Sequence, residues 1–175
     1  MPVDLIRVWE NSPLLSDVMK LYASAFPANE RRPLKPLLTD RSDAGEVLAI
    51  REGDLFIGLV VLLSFQDITH IIYLAVPEPL RGRGYGAQIL SEIQKRYPRQ
   101  RIIADLEEPD GKAANNAQRE RRVAFYARNG FSPTEIRYAW RGEKYVIVAA
   151  NGTVSEDEFE AFWDYFYSGK AGFDY

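Results

Sequence analysis

The chain has no cysteine and one histidine among its 175 residues. The first absence excludes disulfides, thiolate metal sites and a cysteine nucleophile. The second argues against a histidine-built metal centre, so no metal is expected. Long apolar runs are missing too. The longest, Leu55 to Phe65, is interrupted by Gly58 and falls far short of the about 20 residues a membrane-spanning helix needs. The start of the chain lacks the basic and apolar regions of a signal peptide. Basic charge is not in excess: 22 Lys and Arg stand against 25 Asp and Glu, for a net charge of −3. That balance argues against a general nucleic-acid binder. These absences point to a soluble, cytoplasmic protein with no membrane or nucleic-acid partner. Its length is enough for one domain with a sizeable core.

What is present centres on residues 68–97. Ile68 to Val76 is an apolar run of strand length, rich in β-branched and aromatic residues. Arg81-Gly82-Arg83-Gly84-Tyr85-Gly86 follows after two prolines. Ile89, Leu90, Ile93 and Tyr97 then recur at helical spacing until Pro98. The loop therefore joins a strand end to a helix start, where unpaired N–H groups carry a partial positive charge. Glycines let the backbone approach a ligand closely, and Arg81 and Arg83 add two permanent cations. Together these favour a phosphorylated ligand, most simply a pyrophosphate.

Three ligand classes compete for such a loop. A nucleoside-triphosphate loop would end in Gly-Lys-Ser/Thr, which this chain lacks. A dinucleotide loop needs G-x-G-x-x-G/A, and Gly82, Gly84 and Ala87 fit it, with Asp105 about 20 residues on. Against it, Pro77 to Arg81 is too long for that motif's tight turn. The third is an acyl-coenzyme A loop. LAVPEPLRGRGYGAQIL resembles that of the GNAT N-acetyltransferases, whose pattern is Arg/Gln-x-x-Gly-x-Gly/Ala; Arg81, Gly84 and Gly86 fill it. A second block, QRERRVAFYARNGF over 118–131, resembles the family's helix ending in Phe-Tyr and followed by Gly-Phe. Both blocks stand in the family's order and cover, with their strands, about residues 45–150.

The resemblance implies an α/β (α+β) GNAT fold. Its central sheet is mixed and mostly antiparallel, of about seven strands flanked by helices, with splayed parallel strands that bind acyl-coenzyme A. It implies acetyl-CoA as acyl donor and direct transfer to a primary amine of a small molecule or peptide. Cofactor contacts carry over to the backbone of Leu74, Ala75 and Val76, the loop Arg81, Gly82, Arg83, Gly84, Tyr85 and Gly86, and Asn116. Tyr126 falls on the family's general acid. His70 falls where the histone acetyltransferases place a catalytic glutamate, and Ile72 stands where many members have an acidic residue. Glu30, Glu107 and Glu108 are alternative bases, directly or through water. Glu30 and Glu107 are also acceptor contacts, in a pocket expected to hold Phe26, Tyr138 and Trp140. A non-catalytic acyl-coenzyme A-binding module and a nicotinamide-dependent oxidoreductase are the other readings.

The elements follow from periodicity and breaks. Strands are expected over 5–9, 46–51, 55–65, 68–76, 101–106, 131–140 and 144–150. Helices are expected after Ser12-Pro13, over 36–39, after the glycine loop and over 117–128. Ser12 is the expected cap of the first helix, Asn115 or Asn116 that of the fourth. Residues 40–45 read as a turn-rich connector. Residues 1–150 form the acetyltransferase domain and 151–175 a C-terminal helical extension. There Ser155 and Glu158 make a capping box, and Phe159, Phe162, Trp163, Phe166 and Tyr167 form one stripe, with Asp157, Glu160 and Asp164 opposite. That stripe must be buried on the chain's own sheet or on a second copy in a homodimer.

Overall fold

The computed structural model describes residues 2–39 and 44–172, so most of the connector expected over 40–45 lies outside the described residues. Seven strands form one sheet: β1 (Asp4–Arg7), β2 (Gly45–Glu52), β3 (Leu55–Phe65), β4 (Ile68–Ala75), β5 (Arg101–Glu107), β6 (Ser132–Trp140) and β7 (Glu143–Ala150). Their order is β1-β2-β3-β4-β5-β7-β6. The first four run antiparallel as a meander, and β4 and β5 are parallel across the helix that follows the glycine loop. The final hairpin inserts β7 beside β5 and leaves β6 at the edge.

Period-two alternation sorts each strand onto two cores. Val47, Ala49, Leu59, Ile103 and Ile147 face α1 (Leu15–Ala25), α2 (Lys35–Thr39) and α5 (Glu156–Tyr167). Leu48, Ile50, Val60, Ile102 and Val148 face α3 (Tyr85–Arg96) and α4 (Asn116–Arg128). Helix α5 is not an appendage: Phe162 and Phe166 are fully buried in the first core. Its capping box forms as expected, with Ser155 Oγ accepting from the Glu158 N–H and Glu158 Oε1 from the Ser155 N–H, both at 3.2 Å.

Two expected caps are corrected. Ser12 does not cap α1: its Oγ accepts from the Trp9 N–H at 2.8 Å and closes a turn, and the helix starts three residues later. Asn115 sits at the start of α4 without capping it, because its Oδ1 accepts from Arg119 Nε at 2.8 Å. Asn116 is drawn to the loop instead, its Oδ1 accepting from the Asp110 N–H at 2.7 Å. In each case another donor takes the side-chain oxygen in place of the local helix N–H.

The feature that positions the site is a fork. Pairing of β4 with β5 runs from Ile68↔Arg101 to Ile71↔Ala104 and stops, although both strands continue. On the other edge of β4, Tyr73 pairs with Val61 and Ile71 with Leu62, so Ile72 is an extra, bulged residue. A bulge bends its strand and re-aims the residues beyond it, and this one lies where β4 leaves β5. Gly58 on β3 accommodates the bent strand, since a Cβ there would stand 2.6 Å from the Ala75 carbonyl oxygen.

Candidate active site

One side of the fork ends in the glycine loop. After Val76 the chain makes a short 3-10 turn over Glu78–Leu80, and α3 begins at Tyr85. Gly82 and Gly84 have φ of 78° and 82°, which side chains disfavour. Gly84 is the N-cap residue, with no side-chain cap on the helix. The first N–H groups of α3 thus lack an intrahelical partner. Arg81 folds back, its Nε donating to the Val76 carbonyl at 3.0 Å, while Arg83 is exposed. Tyr85 turns its ring inward, its hydroxyl donating to Glu52 at 3.1 Å, so only its backbone faces the loop. A close approach locks α3 onto α4, because a Cβ at Gly86 would stand 2.9 Å from the Phe125 ring. An uncapped helix start beside open left-handed glycines suits a pyrophosphate, and the unpaired edge of β4 suits an extended arm added as a strand.

The other side opens into a cavity of about 470 Å³. The structure brings together there most of what the sequence named for the acceptor: Phe26, Glu30, His70, Glu107, Tyr138 and Trp140. It also adds a wall that sequence reasoning missed, Phe159, Trp163 and Tyr167 of α5, with Glu160 and Asp164 at its exposed edge rather than turned away from it. The 26–33 loop is rigidly held. Tyr73 OH donates to the Glu30 carbonyl at 2.7 Å, and the Arg32 N–H donates to Tyr22 and Tyr73 at 2.8 and 2.9 Å. The Arg32 guanidinium lies over Trp163 at 4.8 Å and Trp140 at 5.2 Å.

Carboxylates dominate the lining: Glu30, Asp105, Glu107, Glu160 and Asp164 against the guanidiniums of Arg32 and Arg122. Burial, and then Glu107, push the Glu30 carboxyl above its ordinary range, with Arg122 opposing. Glu107 is paired with Arg119 at 2.7 Å. Arg119 also reaches Glu143 and the Glu108 carbonyl, and so organises the loop after β5.

The two expected catalytic residues are not side by side. Tyr126 lies in the second core, between the edges of Phe125 and Phe131, and does not line the cavity. Burial pushes its phenol up to about 12. His70 is on the cavity side, only 1% exposed. Asp105, noted in the sequence only as an acid about 20 residues past the glycine loop, faces His70 and accepts from Tyr138 OH at 2.6 Å. Among the described residues no helix is long and apolar enough to cross a membrane.

A seven-stranded sheet with a forked parallel pair, a glycine loop at one end of the fork and an acid-lined cavity at the other, is the GNAT fold. The Acetyltransferase (GNAT) family model matches residues 15–131, and the chain belongs to this family. Among solved structures, a putative GNAT acetyltransferase from Bacteroides thetaiotaomicron is 21% identical, with a TM-score of 0.77 over 99% of this chain and 100% of that one. A GNAT acetyltransferase from Elizabethkingia anophelis with acetyl-CoA bound is 16% identical, with a TM-score of 0.57 over 85% and 97%. Arabidopsis thaliana Naa50, in complex with the bisubstrate analogue CoA-Ac-MVNAL, is 20% identical, with a TM-score of 0.62 over 87% and 100%. No curated protein matches the chain.

Proposed function

We propose that the protein is an N-acetyltransferase that uses acetyl-CoA to acetylate a primary amine of a small molecule or peptide, by direct transfer in a ternary complex. The observation that carries this reading is the fork, which parts at Ile71 and Ala104 between an uncapped glycine loop and a cavity rich in carboxylates and aromatic rings. The loop backbone from Arg81 to Gly86, with Arg81 and Arg83, holds the pyrophosphate. The free edge of Leu74 to Val76 holds the pantetheine arm.

Acetyl-CoA supplies the thioester carbonyl that the amine nitrogen attacks and the thiolate that leaves. A backbone N–H of the free β4 edge faces the carbonyl oxygen as charge develops there. Tyr126 gives its phenolic proton to the leaving sulfur; a phenol raised to about 12 stays protonated at neutral pH, as this role requires. The amine nitrogen loses a proton on the cavity side. His70 is sealed behind the rings of α5, so that proton leaves through water or the carboxylates of Glu30 and Glu107. The surplus of carboxylates and the aromatic walls favour an acceptor that arrives as an ammonium ion.

The test is thermal unfolding with acetyl-CoA and separately with NADH, followed by thiol release with spermidine, kanamycin and the peptide Met-Val-Asn-Ala-Leu. Acetyl-CoA at about 100 times its dissociation constant stabilises the fold by about 2.7 kcal/mol, a rise of about 5–10 °C. A shift with NADH alone overturns the reading. A shift with acetyl-CoA but no thiol release with any amine leaves a binding module.

A further inference from the structure

His70 is the one histidine of the chain and is 1% exposed, yet neither ring nitrogen makes a hydrogen bond. Trp163 and Phe162 of α5 wall it in at 5.5 and 5.6 Å between ring centres. Buried polar atoms without partners are costly and call for a reason. Asp105 faces His70, with Oδ1 3.5 Å from Nε2. Asp105 is the first residue of β5 beyond the last pair with β4, so it sits at the crotch of the fork. A quarter of its side chain remains exposed, toward the cavity. Its other oxygen accepts from Tyr138 OH at 2.6 Å. An ionised carboxylate only accepts, so the ring nitrogen that faces Asp105, Nε2, is the one that must carry a proton. Two side chains from different strands, His70 buried and Tyr138 half-buried, thus face one carboxylate. Burial opposes its ionisation, but His70 and then Tyr138 outweigh it and hold the group below its ordinary range.

The geometry points to Asp105 as the residue that receives the acceptor's ammonium group, with His70 and Tyr138 as positioning residues that hold its carboxylate aimed into the fork. This rests on the amine-acetyltransferase reading above and adds no covalent step. Glu107 is a weaker candidate because Arg119 already pairs with it at 2.7 Å. Among the described residues no lysine or arginine pairs with Asp105, so its charge is left for a cation from outside. The role reverses the sequence expectation for His70: it serves the site from behind rather than touching the amine.

The experiment measures KM and kcat for spermidine, kanamycin and Met-Val-Asn-Ala-Leu by thiol release, with acetyl-CoA-induced thermal stabilisation as a control. Asp105→Asn raises the amine KM by about 10–100-fold, the weight of a charge-assisted hydrogen bond, with the acetyl-CoA shift unchanged. His70→Phe raises KM by about 3–10-fold, and His70→Gln, which keeps an N–H donor, restores most of the loss. Since the chain has one histidine, 15N labelling of histidine gives a single imidazole. Its resonances show Nε2 carrying the proton in the wild type and a mixture of tautomers in Asp105→Asn. An unchanged KM in Asp105→Asn, or a proton on Nδ1 in the wild type, overturns the assignment alone. Wild-type protein stabilised by acetyl-CoA that releases no thiol with any of the amines sinks the functional reading and the assignment together. Should Asp105→Asn fail to fold, His70→Phe and Tyr138→Phe carry the same KM prediction at smaller size.

Discussion

The two ends of the fork are built from different materials. At the end proposed for the cofactor the work falls to the backbone: left-handed glycines, an uncapped helix start and an edge of β4 that leaves β5. Six consecutive residues, 81–86, hold most of it. At the end proposed for the acceptor it falls to side chains drawn from across the chain. Tyr138 meets Asp105 over a separation of 33 residues, and Tyr73 meets Glu30 over 43. A backbone site is rigid if its φ angles are right. A side-chain site is only as rigid as the packing behind it, and here that packing is largely α5.

The largest effect should come from α5. Phe162 is fully buried in the core it shares with Val47 and Ile147. Phe162→Ala should cost about 3–5 kcal/mol in urea or thermal unfolding, and weaken acceptor binding more than acetyl-CoA binding. A loss below about 1 kcal/mol would mean that α5 is dispensable and that the acceptor end does not depend on it.

Next comes the hinge between the ends. Gly58→Ala places a methyl 2.6 Å from the Ala75 carbonyl oxygen, which is backbone and cannot swing aside. A strain of about 1–3 kcal/mol is expected. Because the bent end of β4 must move, acetyl-CoA affinity should fall as well. An unaltered affinity would show that the β4 edge beyond the bulge does not hold the cofactor.

The cofactor end should respond to backbone changes far more than to side-chain changes. Gly84→Val forces a β-branched residue to φ 82°, where space is open but the conformation is not, at about 1–3 kcal/mol. Acetyl-CoA should bind at least about 10-fold more weakly even where the fold survives. Arg83→Ala, an exposed side chain, should cost less than that. If Arg83→Ala proved the more damaging, the loop would act through charge and the contrast between the ends would collapse.

The same contrast explains what the sequence disclosed. The strand, glycine loop and helix of 68–97, the parallel crossover and the α5 capping box were legible because each is a local pattern. Glu30, Glu107 and Trp140 reached the cavity list through the family resemblance, not through any spacing of their own. Asp105 drew notice only as an acid about 20 residues past the glycine loop, because its neighbours His70 and Tyr138 are brought to it by the sheet and by nothing local. Glu160 and Asp164 looked like the solvent face of a helix, which they are; that this face borders the cavity is set by how α5 docks. Asn115 and Ser12 failed as caps because distant or neighbouring donors claimed them first.

The smallest effect tests how α5 is tied to the sheet at its N-terminus. Glu158 serves two partners: Oε1 closes the capping box with Ser155, and Oε2 pairs with Arg101 of β5 at 2.5 Å. Arg101 also grips Asp67, at 3.0 and 2.8 Å, just before β4. The Arg101 hydrogen bond, and then the Ser155 N–H, pull the Glu158 carboxyl down from 4.5 to about 2. A lowered folded-state pKa gives stability that is present above about 4.5 and lost as pH falls toward about 2. Glu158→Gln keeps the capping box, which accepts glutamine, but removes the charge from Arg101. At pH 7 the variant should be less stable by a few tenths to about 1 kcal/mol, since the pair is partly exposed and screened. In urea unfolding that gap should close as pH falls from 4.5 toward 2, because the wild-type carboxyl is then neutral too. A gap that persists at the acid end would locate the loss in the cap rather than the ion pair. The acceptor end would then be fastened to the sheet by its apolar stripe with no measurable help from the Arg101 strap.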